Sequence, residues 1–136
     1  MRKPFTNSCE NLLLNYRILL VCAIPKAVDP SLEGPFALLL DRIGDPGNLG
    51  TILRTSWAVG LTDVWLIEGT VDPFSEKAIR AALGAQFGIR THVERDLATA
   101  AATLRSLGVE RFYRTEPAGG RSCFEEMNLF DRAALV

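Results

Sequence analysis

The sequence predicts an α/β protein built on a doubly wound parallel sheet. Strand-like and helix-like segments alternate from position 36 to the end of the chain, the signature of βαβ units. The first apolar run, Phe36-Ala-Leu-Leu-Leu40, shows no polar alternation, as expected of a strand covered on both faces. Capping residues precede the helical segments and glycines follow them. The chain of 136 residues is one domain in size, with 48% hydrophobic and 23% charged residues, so it can bury a core and is not a disordered segment. Lys plus Arg number 15 and Asp plus Glu 16, so no basic excess marks a nucleic-acid partner, and local clusters would have to supply such contacts.

Residues 1–35 are the least patterned. Tyr16 to Ile24 reads as a strand or a short helix, with the strand preferred, and Pro25 to Pro35, with three prolines and a glycine, reads as a linker. Phe36 to Leu40 is then the first regular strand, followed by the turn Asp45-Pro-Gly-Asn48. Asn48 is of N-cap type for a helix to about Val59, with Leu49, Ile52, Leu53 and Trp57 as its apolar stripe and Gly60 as its stop. Asp63 to Ile67 is the second strand. Asp72 caps a helix with Pro73 at its first position, running to Leu83 before Gly84. Phe87 to Val93 is a weaker third strand. Asp96 caps an Ala-rich helix to Leu107, with Gly108 after it. Val109 to Arg114 is the fourth strand, Ser122-Cys-Phe-Glu125 fits a capping box for a short helix, and Ala133 to Val136 opens a fifth strand.

Several function classes fall away. The most apolar run, Leu12 to Ile24, is short and carries Asn15 and Arg17, so a membrane span is not expected, and Arg17 also spoils it as a signal peptide. Cys9, Cys22 and Cys123 are odd in number and lack zinc-ligand spacing, which suits reduced thiols in a cytoplasmic protein. A single histidine, His92, leaves little for metal or Ser-His-Asp chemistry. No metal site is expected.

In a doubly wound sheet, ligands bind beyond the carboxyl ends of the strands. Two segments there could carry chemistry. In Asp45-Pro-Gly-Asn-Leu-Gly-Thr-Ile-Leu-Arg54, Gly47 and Gly50 permit close backbone approach, the helix start offers N–H groups, and Arg54 could grip a phosphate bidentately. The segment is neither a Walker loop nor GxGxxG. In the second, Val71 to Ala85, Lys77 and Arg80 lie one turn apart beside Glu76. With Arg42, Arg54 and Arg90 they could form a phosphate-tracking patch. A plain cap at Asn48 and solvated charges at Arg54, Lys77 and Arg80 explain the same residues without a ligand. Trp57 and Trp65 read as core, His92 as structural, and Asp41, Asp45, Asp63 and Asp72 as capping residues at element ends.

Taken together, these segments resemble a known family. Asp45-Pro-Gly-Asn-Leu-Gly-Thr-Ile-Leu-Arg-Thr55 with Ala58-Val-Gly60 resembles the first signature motif of the SpoU (TrmH-type) RNA ribose methyltransferases of the SPOUT superfamily. Val71-Asp-Pro-Phe74 through Lys77, Arg80 and Gly84-Ala85 to Phe87 resembles the segment that follows it. The likeness runs from about residue 36 to the end of the chain. It implies a Rossmann-like parallel sheet of the knotted type and a homodimer. It also implies methyl transfer from S-adenosylmethionine to a ribose 2′-hydroxyl of ribosomal or transfer RNA. By the same resemblance, Asn48 and Arg54 match the motif's catalytic residues, Lys77 and Arg80 join Arg54 in RNA contact, and Thr115 lies on the cofactor side. The family's Gly-x-Glu-x-x-Gly and Ser-Leu-Asn motifs, which form the knot and most of the cofactor pocket, do not occur in this sequence. The expectation is therefore that residues 36–136 are the N-terminal part of the methyltransferase domain, an incomplete catalytic domain without the knot. Residues 1–35 would be an extension or the remnant of an RNA-binding domain. The competing reading is a non-catalytic RNA- or nucleotide-binding α/β module.

Overall fold

The computed structural model describes residues 21–26, 28–34, 36–116, 118–125 and 130–136. Five strands form one parallel sheet: β1 (Ala37–Leu40), β2 (Asp63–Ile67), β3 (Arg90–Glu94), β4 (Arg111–Tyr113) and β5 (Ala133–Leu135). Their order across the sheet is β3-β2-β1-β5-β4. Pairing is in parallel register throughout, with Leu38 opposite Val64, Asp63 opposite Arg90 and Trp65 opposite His92. Three helices connect them: α1 (Pro46–Ala58), α2 (Glu76–Ala82) and α3 (Leu97–Ser106). A single 3-10 turn, Ala85–Phe87, leads from α2 towards β3.

Both faces of the sheet are covered, which explains the unbroken apolar run of β1. On one face Ala37, Leu39, Trp65, Ile67 and Ala134 pack against Ala100 and Leu104 of α3. On the other, Leu40, Val64 and Leu66 pack against Leu49 and Leu53 of α1, Ala82 of α2, and Ala85 and Ile89. The chain returns from β3 at one edge to β4 at the other, so the strand order reverses between β1 and β5. The crevice that such a reversal opens lies at the carboxyl end of β1, where the loop into α1 begins.

The α/β architecture agrees with the sequence reading, while several boundaries shift. Asp45, not Asn48, is the N-cap of α1: its Oδ1 accepts from the Asn48 backbone N–H at 2.8 Å, with Pro46 and Gly47 already in the helix. Proline suits a first helical position, where its missing N–H costs no hydrogen bond. Residue 72 does not cap α2. The Asp72 carboxylate accepts from Phe74 N at 2.8 Å within a turn, and the helix starts three residues after Pro73. Ala85–Phe87 delays β3 to Arg90, and β4 is limited to Arg111–Tyr113. Around Ser122 the described residues form a turn, closed by Glu125 N to Ser122 O at 3.0 Å, and the residues that the expected short helix would run into, 126–129, lie outside the described residues. Residues 21–24 have no regular structure, and the rest of the strand expected from Tyr16 lies outside the described residues. Asp96 caps α3 as its position suggested, accepting from Thr99 N at 2.8 Å. No described helix is long and apolar enough to cross a membrane.

Candidate active site at the carboxyl edge of the sheet

The loop after β1 delivers α1 to the carboxyl edge, and its geometry is set by one carboxylate. Asp45 uses Oδ1 for the cap and Oδ2 for Lys77 Nζ of α2, at 2.7 Å. The Lys77 bond and then the Asn48 N–H hold the Asp45 carboxyl below the ordinary carboxylate range. Gly47 makes the arrangement possible. A Cβ there would come within 2.8 Å of Asp45 Oδ1 and 3.3 Å of Lys77 Cε. Lys77 is thus tied into the fold of the loop, and Arg80 is paired with Glu76 at 3.0 Å along α2.

Asn48 and Arg54 differ from them. Both are exposed on α1, and neither side chain makes a hydrogen bond or ion pair with a described residue. Arg54 is therefore a guanidinium with all its donors available, about two helical turns from the capped end. Thr115 follows β4 on the same edge of the sheet, beyond β5. Its N–H and its hydroxyl both donate to the Val136 carbonyl, at 2.8 and 3.0 Å. Both polar groups of Thr115 are thereby committed to main chain.

Four expectations for this region need correction. Gly50 does not offer backbone to a ligand. It is buried, and a Cβ on it would lie 2.5 Å from the Ala78 carbonyl oxygen and 2.7 Å from the Ala81 Cβ. Its role is the close crossing of α1 and α2. Arg42 does not reach out as part of a phosphate patch but folds back on Asp41, with Nε 2.9 Å from Oδ1. Arg90 is likewise withdrawn, because it serves Asp63 at the opposite end of the sheet. Trp57 is not core: the indole is 54% exposed, whereas Trp65 is fully buried. α2 and the 3-10 turn leave that part of α1 uncovered.

At the amino edge, sequence reasoning missed a cluster. Asp63, at the start of β2 and 3% exposed, accepts from Arg90 Nε (2.9 Å) and Nη2 (2.5 Å) and from Thr62 Oγ1 (2.8 Å). His92 Nε2 lies 2.7 Å from its Oδ1, and Arg90 also reaches Ser31 Oγ at 2.8 Å. Burial raises the Asp63 pKa, but the hydrogen bonds from Arg90, His92 and Thr62 outweigh it and hold the group ionised at lower pH than usual. Every oxygen of this carboxylate is satisfied, so the cluster joins β2 to β3 and leaves no acceptor on Asp63 for a ligand. An open depression of about 450 Å³, lined by Leu32, Gly34, Leu107, Gly108 and Phe130–Arg132, lies at the same amino edge, away from Arg54. No group of three or more His, Cys, Asp or Glu side chains able to hold a metal ion occurs among the described residues.

The region carrying these features, residues 35–136, matches the model of the SpoU rRNA Methylase family. The chain belongs to this family. Among SpoU relatives it is 39% identical over 120 residues to the 23S rRNA (guanosine(2553)-2′-O)-methyltransferase RlmP of Bacillus subtilis, covering 88% of this chain and 46% of that protein. Its fold superimposes on an rRNA methyltransferase from Sinorhizobium meliloti with TM-score 0.69 and 30% identity, over 82% of this chain and 44% of that one. The AdoMet-bound form of an rRNA methyltransferase from the same organism gives TM-score 0.66 and 31% identity, over 79% and 40% of the two chains. The chain thus spans less than half the length of each of these SpoU proteins. The resemblance implied a Rossmann-like parallel sheet, and the five strands of that sheet are those that the residue pattern predicted.

Proposed function

We infer that this chain is the RNA-facing part of an S-adenosylmethionine-dependent RNA ribose 2′-O-methyltransferase. The observation that carries the reading is the contrast within the matched motifs: the side chains of Arg54 and Asn48 have no partner on α1 among the described residues, while Asp45, Lys77 and Gly47 are spent on holding that helix in place. Methyl transfer to a hydroxyl depends on positioning, so a rigidly seated helix with a free guanidinium is the right kind of contribution. A guanidinium stays protonated and makes a poor base, whereas it clamps a phosphate bidentately or stabilises a developing alkoxide well. Arg54 is assigned that work, with Asn48 as a hydrogen-bonding partner to the sugar-phosphate backbone. Lys77 and Arg80 contribute positive charge to the same RNA-facing surface while holding their own acidic partners.

Thr115, the candidate on the cofactor side, has its N–H and its hydroxyl committed to Val136. S-adenosylmethionine as donor is supported by the AdoMet-bound relative. Ribosomal RNA is the favoured substrate over transfer RNA, given the named activity of the Bacillus subtilis relative. Residence in the cytoplasm, a homodimeric assembly and a boundary near residue 35 between an N-terminal extension and the methyltransferase segment complete the reading. The family match beginning at residue 35 supports that boundary.

The test is transfer of a labelled methyl group from S-adenosylmethionine to ribosomal RNA by the full-length protein, read as ribose 2′-O-methylation. Arg54→Ala is expected to lower transfer about 100-fold, the scale for losing one charge-stabilising donor, with unchanged melting. Transfer that survives the substitution would sink the assignment. RNA binding without any methylation would favour a non-catalytic module.

A further inference from the structure

Trp57 is the feature of the first motif region that the catalytic reading leaves unused. It lies on α1 three residues after Arg54, so the two side chains are neighbours on the helix surface, with β-carbons about 5–6 Å apart. The indole is seated against Gly88: a Cβ at that glycine would come to 3.0 Å of Nε1 and 3.1 Å of Cε2. The Gly88 backbone is ordinary, with φ −99°, so the glycine is needed there to admit the ring and not to permit a turn. The contact fixes one side of the ring of a residue that is still 54% exposed. Phe87, Leu83 and Val59 are exposed nearby in the same helix-and-turn layer. An exposed apolar surface fixed in this way marks a binding site more often than chance.

We propose that the indole of Trp57, held against Gly88, is a stacking platform for a nucleobase of single-stranded RNA, with Arg54 gripping a neighbouring phosphate. This rests on the reading that the chain works on RNA. The side-by-side ring and guanidinium, the latter without a partner among the described residues, decide between occupants, because a nucleotide offers both a flat aromatic face and an anionic group. An aliphatic partner surface would use the ring but leave the Arg54 charge unanswered. The ring is also held by main chain, so little freedom is lost when a base stacks on it.

Binding of labelled single-stranded RNA to the full-length protein tests this by anisotropy, together with tryptophan emission. The difference between wild type and Trp57→Leu isolates the Trp57 signal, and Trp65, fully buried, is not expected to respond. RNA is expected to quench the Trp57 emission. Trp57→Leu, which keeps an apolar side chain and loses the ring face, should weaken binding about tenfold, and Trp57→Phe should restore most of it. Unchanged affinity in Trp57→Leu with no quenching would overturn the platform while leaving the RNA reading intact. A Trp57 signal that follows protein concentration and ignores RNA would overturn it in favour of contact with a second copy. If a folded wild type binds no RNA at all, the platform and the RNA reading fall together.

Discussion

The two ends of the sheet carry similar charged residues and use them in opposite ways. At the amino edge, Asp63 is buried with four donor contacts from Arg90, His92 and Thr62. At the carboxyl edge, Asp45 is satisfied in the same manner, but the side chains of Arg54 and Asn48 on the helix that it fixes have no partner among the described residues. Polar groups that are fully paired inside a protein hold it together; those left unpaired at its surface are available to something else. Charge alone does not separate the two roles. Arg90 opens β3 and Arg54 lies within α1, and the inventory of partners tells the two arginines apart.

The sharpest way to break this comparison is at Asp63. Asp63→Asn should destabilise the fold by about 3 kcal/mol in a denaturant melt, because Arg90 and His92 lose their shared anion at a buried position. Any effect on RNA binding at temperatures where the variant is folded would contradict a purely architectural role. The pH dependence gives the sign. The folded-state pKa of Asp63 is depressed, so the unfolded chain binds the proton more readily as pH falls through the ordinary carboxylate range. Stability present at neutral pH is then lost progressively on acidification. Asp96, held to about 2 by Thr99 and Arg95, contributes to the same acid limb. Asp63→Asn should flatten that limb, as seen in melts from pH 7 down to about pH 2.

A second, smaller perturbation strikes the carboxyl edge through its support. Gly50→Ala brings a methyl group against the Ala78 carbonyl and the Ala81 side chain. The expected cost is about 2 kcal/mol despite alanine's better helix propensity. The imidazole resonances of His92 should stay in place while amides of α1 and α2 shift. A disturbance that reaches His92 would show that the two edges are not independent.

The smallest effect concerns an exception to the rule. Gln86 is fully buried, yet neither its amide nitrogen nor its oxygen has a hydrogen-bond partner among the described residues. Gln86→Met, similar in length, removes that penalty and is expected to stabilise the fold by about 1 kcal/mol. A loss of stability would mean that the amide is satisfied in solution.

What was legible in the sequence was local. Asp96 and its helix could be read because the capping carboxylate and the Thr99 N–H that donates to it lie within four residues. The strands were legible because a doubly covered parallel sheet writes itself as apolar runs. Asp63 was read as a capping residue because its partners are 27 and 29 positions away and meet it only through the parallel register of β2 and β3. Periodicity put Trp57 on the apolar side of α1 correctly, but it could not say that the covering layer thins out at that end of the helix. The cap of α1 could have been assigned: Pro46 directly after Asp45 favours a helix beginning there, three residues before Leu49. Within the candidate site, the identities of Arg54 and Asn48 came from the motif. Their lack of partners, and the commitment of Lys77 to Asp45, could come only from the packing of α1 on α2.

That packing also limits how the protein can change over generations. The space beside Gly50 is bounded chiefly by main chain, at the Ala78 carbonyl and the Ala82 nitrogen, with one methyl group at Ala81. A larger residue at position 50 cannot be rescued by trimming a neighbour to glycine, since backbone cannot be trimmed. Drift at this position is closed off by geometry before any ligand is consulted, so its persistence in descendants would testify to two helices in contact and say nothing about catalysis.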